Sequence, residues 1–222
     1  MKHNEHIVKS FENELNGIVV SLKAMKDMVI DLIRTAEDSL NKDGADYYEK
    51  AILKDKKVNE LEKDIESRAI NILVRRQPMA GDLRFIVSAI KIASLLERIG
   101  DRGKKTAKKT QRITEPFSSE IYDDIKKMNA IIIAMINEVF VNIEKYDFKD
   151  LKKAYEDDNK VDEFYSETMH KAIKCQQNSP RELEEFIAKI KVLKNFERIG
   201  DYATKIAKIV YYIAEGSNSP DF

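Results

Sequence analysis

The string Glu-Arg-Ile-Gly-Asp occurs twice in this chain, at Glu97–Asp101 and at Glu197–Asp201, one hundred residues apart. The identity extends outward: Leu83, Ile90 and Lys91 match Leu183, Ile190 and Lys191, and Lys105, Ala107 and Lys108 match Lys205, Ala207 and Lys208. A shared pentapeptide with matched flanks marks an internal repeat, which restricts the fold before any local reading begins. The period is too long for a solenoid array. It suits two small domains of one design within 222 residues. The repeat places their boundaries at 1–114 and 115–216, with 217–222 as a flexible tail.

Hydrophobic periodicity assigns both units to helices. Phe11, Leu15, Ile18, Leu22, Met25, Val29 and Leu32 recur every three or four residues and form one apolar stripe on a first helix from about Asn4 to Leu40. Asn41 to Gly44 reads as its stop. A second helix, about Asp46 to Arg76, carries Val58, Leu61, Ile65, Ala69 and Ile72 on its inner face. Pro78 ends it, because proline lacks an N–H and disfavours helix in the residue before it. A third runs from about Gly81 to Ile113 with Phe85, Ile86, Ala89, Ile90, Ala93, Leu96 and Ile99 inward, and Pro116 separates the halves. The second half repeats the plan over about Ser118–Lys145, Phe148–Gln177 and Pro180–Glu215, with Ser179 as a cap before Pro180. The expected fold is all-α: two tandem three-helix bundles built from six long antiparallel helices.

Composition agrees and narrows the function. Charged residues make up 35% of the chain and there are only 7 Gly and 4 Pro, as a helical protein requires. The formal net charge is zero, which argues against a nucleic-acid binder. Cys175 is the single cysteine, so no internal disulfide forms and a reducing compartment fits. Met1 to Phe11 lacks the apolar core of a signal peptide. The longest apolar run, Ala130 to Ile136, falls far short of the roughly 20 residues a membrane span needs. The expected location is the cytoplasm.

The chemistry sits in the repeated string. Glu97 and Asp101 are four residues apart and share one helix face, as do Glu197 and Asp201. Like charges at that spacing cost a few tenths of a kcal/mol, and Gly100 or Gly200 inside a helix costs about 1 kcal/mol more. Both penalties recur in both halves, so something offsets them: the close approach of a neighbouring backbone at the glycine, and a cation between carboxylates. The preceding helix supplies matching groups, Asp55 and Asn59 in the first half, Asp158 and Asp162 in the second. In an antiparallel hairpin, residues equidistant from the turn lie level. Asn59 with Glu97 and Asp55 with Asp101 both centre on Pro78; Asp162 with Glu197 and Asp158 with Asp201 centre between Ser179 and Pro180. Such oxygen clusters suit Mg²⁺, Mn²⁺, Zn²⁺ or iron. A plain salt-bridge network with Arg98, Arg198, Lys104, Lys105 and Lys205 explains the same spacing, and the residues alone leave the two readings level.

Three strings of the first half, Asp55-Lys-Lys-Val-Asn-Glu-Leu-Glu62, Gln77-Pro-Met-Ala-Gly-Asp-Leu-Arg84 and Leu96-Glu-Arg-Ile-Gly-Asp101, resemble the PhoU family. Asp158-Asn-Lys-Val-Asp162, Phe196-Glu-Arg-Ile-Gly-Asp-Tyr-Ala203 and Val210-Tyr-Tyr-Ile-Ala-Glu-Gly216 extend the resemblance through the second half. It implies a phosphate-transport regulator made of two three-helix bundles. It also implies metal, iron or zinc, at two sites: Asp55, Asn59, Glu97 and Asp101, and Asp158, Asp162, Glu197 and Asp201. Mg²⁺ and Mn²⁺ remain open. Asn59 stands where the pattern has aspartate, and its neutral amide oxygen is the weaker ligand. The implied function is negative regulation of phosphate uptake and of the phosphate-starvation response. Its implied partners are the ATPase subunit of the phosphate ABC importer and a sensor histidine kinase. Homodimers are compatible with it, and membrane association arises only through those partners. No catalysis is implied. The rivals are a carboxylate-bridged helical metalloenzyme, which would use Glu-x-x-His pairs absent here, and a metal-free interaction bundle.

Other polar residues read more plainly. His3 and His6 fall in a fraying terminus, and His170 is a surface residue. Arg102, Lys104, Lys105, Lys108, Lys109 and Arg112 crowd the end of the third helix, where cations complement the helix dipole on a solvated face. Docking to an acidic partner or an anionic membrane is the alternative. Arg84 is expected in an ion pair, and Cys175 has no activating neighbour.

Overall fold

The computed structural model describes residues 2–41, 44–145, 151–174 and 180–216. Six helices run through them: α1 (Lys2–Asp38), α2 (Gly44–Arg76), α3 (Ala80–Thr110), α4 (Ser119–Lys145), α5 (Leu151–Lys174) and α6 (Pro180–Glu215). No strand occurs among the described residues. The fold is all-α, with α1–α3 forming one three-helix bundle and α4–α6 the other.

The apolar stripes close the cores. Ile18, Leu22, Met25, Val29 and Leu32 of α1 are buried against Val58, Ile65 and Ala69 of α2 and Ile86, Ala89, Leu96 and Ile99 of α3. Each fully buried Ile, Leu or Met stabilises the fold by about 1.5–3 kcal/mol, which outweighs helix propensity as the reason these segments stay helical. In the second half Ile125, Ile132 and Ile136 of α4 meet Val161 of α5 and Val192, Phe196 and Ile199 of α6. Phe11, Leu15, Leu61 and Ile90 pack at the edge of the core rather than inside it.

Several boundaries differ from expectation. Gly44 opens α2 instead of ending α1, and α3 stops at Thr110, short of Ile113. Thr110 folds its hydroxyl back onto the Ala107 carbonyl, and Arg112 and Ile113 close a turn onto Lys109 and Thr110. At residues 77–79 the chain reverses about Pro78. Gln77 and Ala80 there adopt φ of 48°, left-handed backbone that costs a non-glycine residue about 1–2 kcal/mol. The expected cap Ser179, the turn residues Lys42 and Asp43, Cys175 and the tail 217–222 lie outside the described residues, as do the side chains of His3 and His6.

The two halves are joined chiefly by α3 and α6, which make the most extensive helix pair in the molecule. They run antiparallel: Arg84 at the start of α3 lies against Gly216 just past the end of α6, and Asn195 of α6 donates to Thr106 of α3 at 3.2 Å. Arg102 donates in turn to Asn195 Oδ1 at 3.5 Å. The smaller contact of α1 with α4 is also antiparallel, through Lys26 with Asn137 and Glu37 with Asn129. Equivalent helices that pair antiparallel are what a twofold relation between the repeats produces.

Candidate metal centre

The second hairpin brings Asp162 to Glu197, as level pairing about its turn requires, and the first brings Asp55 and Asp101 within electrostatic reach of Glu97. On the first seam, a Cβ built on Gly100 would meet Val58 of α2 at 3.4 Å; on the second, one built on Gly200 would meet Val161 of α5 at 3.1 Å. The neighbour admitted by each glycine is a valine side chain, not the backbone that sequence spacing suggests.

On the α5–α6 seam, carboxylate oxygens of Asp162, Glu197 and Asp201 all lie within 4.8 Å of one another, the one such group among the described residues. Asp158 stands outside that group of three, its Oδ1 3.5 Å from a Cβ built on Gly200; burial first, and then the charges of Asp162, Asp201 and Glu197, push its carboxyl up to about 6 against a partial offset from Thr204. Burial and the charge of Asp201 raise Asp162 as well, which Lys194 only partly counters. Two cations approach from the α6 side. Lys194 donates to Glu197 Oε1 at 2.6 Å and Arg198 to Asp201 Oδ2 at 2.8 Å, both within one helix. Glu197 is only 9% exposed, and its Oε2 is buried with no hydrogen-bond partner, the Arg198 Nε lying 3.9 Å away. Buried acceptors without hydrogen-bond partners are uncommon, and an ordered water, a ligand or an ion can satisfy them. Three converging carboxylates, one of them with a buried oxygen that lacks a hydrogen bond, fit a hard or borderline cation.

The α2–α3 seam is differently made. Lys104 of α3 reaches across to Asp55 Oδ2 of α2 at 2.6 Å and lies 3.4 Å from Asp101 Oδ1, while Lys105 bonds Asp101 Oδ2 at 2.5 Å. Burial raises the Asp101 carboxyl, but the hydrogen bond and charge of Lys105 together with Lys104 bring it below its ordinary value. Burial works against the Lys104 ammonium, yet its bonds to Asp55 and Asp101 raise it overall. Glu97 forms no ion pair with these lysines among the described residues: burial and the charges of Glu62, Asp101 and Asp55 raise it, and the charge of Lys104 only partly offsets them. Glu62 is itself raised by burial and by Glu66, and Ser94 donates to it. Sequence spacing alone missed Glu62, although it sits one helical turn beyond Asn59 and level with Ser94. At the corresponding place on the other seam Lys194 lies over the Tyr165 ring, 5.0 Å from its centre.

Comparison with known proteins settles the family. The PhoU domain model matches twice, over residues 22–110 and 125–210. The chain belongs to the PhoU family. A phosphate-specific transport system accessory protein PhoU homolog from Caulobacter vibrioides is 30% identical over 217 residues, covering 96% of this chain and 93% of its own. The phosphate-specific transport system accessory protein PhoU of Escherichia coli K12 is 26% identical over 97% of this chain and 89% of its own. The crystal structure of PhoU from Pseudomonas aeruginosa superposes with a TM-score of 0.84 at 28% identity, over 93% of this chain and all of that one. PhoU from Streptococcus pneumoniae, at 22% identity and a TM-score of 0.85, shares the fold.

The remaining polar residues of this PhoU chain fall into place around the seams. The basic run at the end of α3 is not the uniform solvated face expected of it. Lys104 and Lys105 serve the acidic cluster, Lys108 lies over Tyr48, and only Lys109 and Arg112 face a shallow groove shared with Lys191. Arg84 has no carboxylate partner among the described residues; its guanidinium packs on Gly216 and its Nε is buried without a hydrogen bond. His170 is exposed, its Nδ1 2.7 Å from the Ser166 carbonyl and remote from both clusters in register. No described helix is long and apolar enough to cross a membrane.

Proposed function

We propose that this chain is a negative regulator of phosphate uptake and of the phosphate-starvation response, acting as an adaptor between the phosphate ABC importer and its sensor histidine kinase. The observation that carries the reading is the double match to the PhoU family model, one in each half, with curated accessory proteins of phosphate transport aligned over nearly the whole chain. The adaptor works by binding and not by catalysis. It meets the importer through its ATPase subunit, reaches the membrane only through such partners, acts from the cytoplasm, and is compatible with a homodimer. The units that carry these contacts are the repeats 1–114 and 115–216.

In this reading Asp158, Asp162, Glu197 and Asp201 hold a metal cation, of iron or zinc or of the harder Mg²⁺ and Mn²⁺ type. The convergence of Asp162, Glu197 and Asp201, the buried Glu197 Oε2 that lacks a hydrogen bond and the raised carboxyl of Asp158 support the assignment. Bound there, the cation supplies positive charge that ties α5 to α6. Deleting the gene is expected to derepress a phosphate-starvation reporter in phosphate-rich medium, and a pull-down from phosphate-replete cells to recover the importer ATPase subunit or the kinase. A silent reporter with wild-type phosphate uptake, in a strain with no second copy, overturns the regulatory reading.

A further inference from the structure

We propose that Lys104 is the resident cation of the first acidic cluster, and that the residue at this repeat position decides which seam of the chain is left for metal. The inference rests on the metal reading of the second cluster and adds a determinant to it.

The geometry is that of a bridging ion. The Lys104 ammonium touches Asp55 on α2 and Asp101 on α3, at 2.6 and 3.4 Å, so one positive charge joins carboxylates of the two helices. Asp55 is only 5% exposed. A charge placed there without a counter-charge carries a heavy desolvation cost, which a lysine one turn beyond Asp101 removes. No cation on the other seam does this. Lys194 and Arg198 bond Glu197 and Asp201 on their own helix, and Asp158 and Asp162 of α5 receive no ion pair among the described residues.

The repeat shows which residue makes the difference. One hundred positions after Lys104 stands Thr204, whose hydroxyl donates to the Gly200 carbonyl at 3.3 Å and brings no charge. Lys105 and Lys205 match, so that position cannot separate the seams. A mobile metal ion and a tethered ammonium compete for the same carboxylates, and the tethered group is present at an effective concentration no free ion reaches. On the same seam, Asp55 Oδ1 and Asn59 Oδ1 are buried without hydrogen-bond partners, so donors remain if the ammonium is removed.

The test is a reciprocal exchange, Lys104→Thr and Thr204→Lys, with bound metal counted by mass spectrometry after equilibration with Mn²⁺ or Zn²⁺. Lys104→Thr is expected to raise bound metal about twofold, as a second seam opens, and adding Glu97→Gln should cancel the gain. Thr204→Lys is expected to lower it below wild type. Metal content unchanged by both exchanges overturns the proposal. If Lys104→Thr does not fold, Lys104→Gln removes the charge and keeps most of the stem. If the wild-type chain binds no metal, the metal reading of the second cluster fails, and melting in chelator decides the role of Lys104 separately. There Thr204→Lys should raise the melting temperature and Lys104→Thr lower it, each by about 2–4 °C. Shifts of the opposite sign overturn it.

Discussion

The α2–α3 and α5–α6 seams share the pentapeptide Glu-Arg-Ile-Gly-Asp, the same hairpin register and the same valine beneath the glycine. They differ in where the positive charge comes from. The first seam draws Lys104 across the helix boundary, so its interior carboxylate is bonded within the chain. The second keeps its cations on one helix and gathers three carboxylates within 4.8 Å of one another, with no cation among the described residues reaching across to α5. A motif conserved to the letter between repeats therefore does not fix the electrostatics of its site. The residue one turn downstream, and the helix it reaches, does.

The largest expected contrast is in metal content. Glu197→Gln with Asp201→Asn should strip most bound metal from protein purified without chelator, whereas Glu97→Gln with Asp101→Asn should strip little. Equal losses measured by mass spectrometry would erase the distinction between the seams. The next contrast is one of sign and is read in chelator by denaturant unfolding. Asp55→Asn leaves the Lys104 ammonium short of its closest partner and should cost about 1–3 kcal/mol. Asp158→Asn relieves a carboxylate crowded by three others and should gain about 1 kcal/mol, a figure kept small because the site is partly open to water. The smallest contrast concerns the glycines. Alanine is favoured over glycine in a helix by about 1 kcal/mol. Gly100→Ala, meeting Val58 at an ordinary 3.4 Å, should keep most of that gain. Gly200→Ala, meeting Val161 at 3.1 Å beside Asp158, should lose it. Equal shifts in melting temperature would show that the seams pack alike.

Much of this was legible in the sequence because helices obey short-range rules. The stripe from Ile18 to Leu32 reads as core from periodicity alone, and the hairpin register follows from the distances of Asp162 and Glu197 to their turn. Lys104 was visible too, as a salt-bridge candidate beside the acidic string and as one of six cations at a helix end; nothing in its spacing says that its side chain crosses to Asp55 while Lys108 settles over Tyr48. That choice depends on helical phase across a packed boundary. Glu62 was hidden for a related reason, since it belongs to no repeated motif and enters the cluster only because Ser94 and Glu97 lie level with it. A charged residue in a motif suggests an ion pair for Arg84, whereas among the described residues its guanidinium packs at Gly216. The pairing of α3 with α6 has no local signature at all, because it joins the far ends of the two repeats.

That pairing has a consequence for how the two seams came to differ. An antiparallel union of equivalent helices is the interface of a symmetric dimer, here drawn into one polypeptide by the short linker between α3 and α4. Tethering turns association into an intramolecular event, so the halves meet at an effective concentration set by the linker rather than by expression level. Two identical chains are also obliged to carry identical sites, since one gene writes both. Fusion lifts that obligation. Once the partners share a chain, a lysine at 104 and a threonine at 204 can be inherited together, and a symmetric scaffold can hold one cluster neutralised from within beside another open to its surroundings.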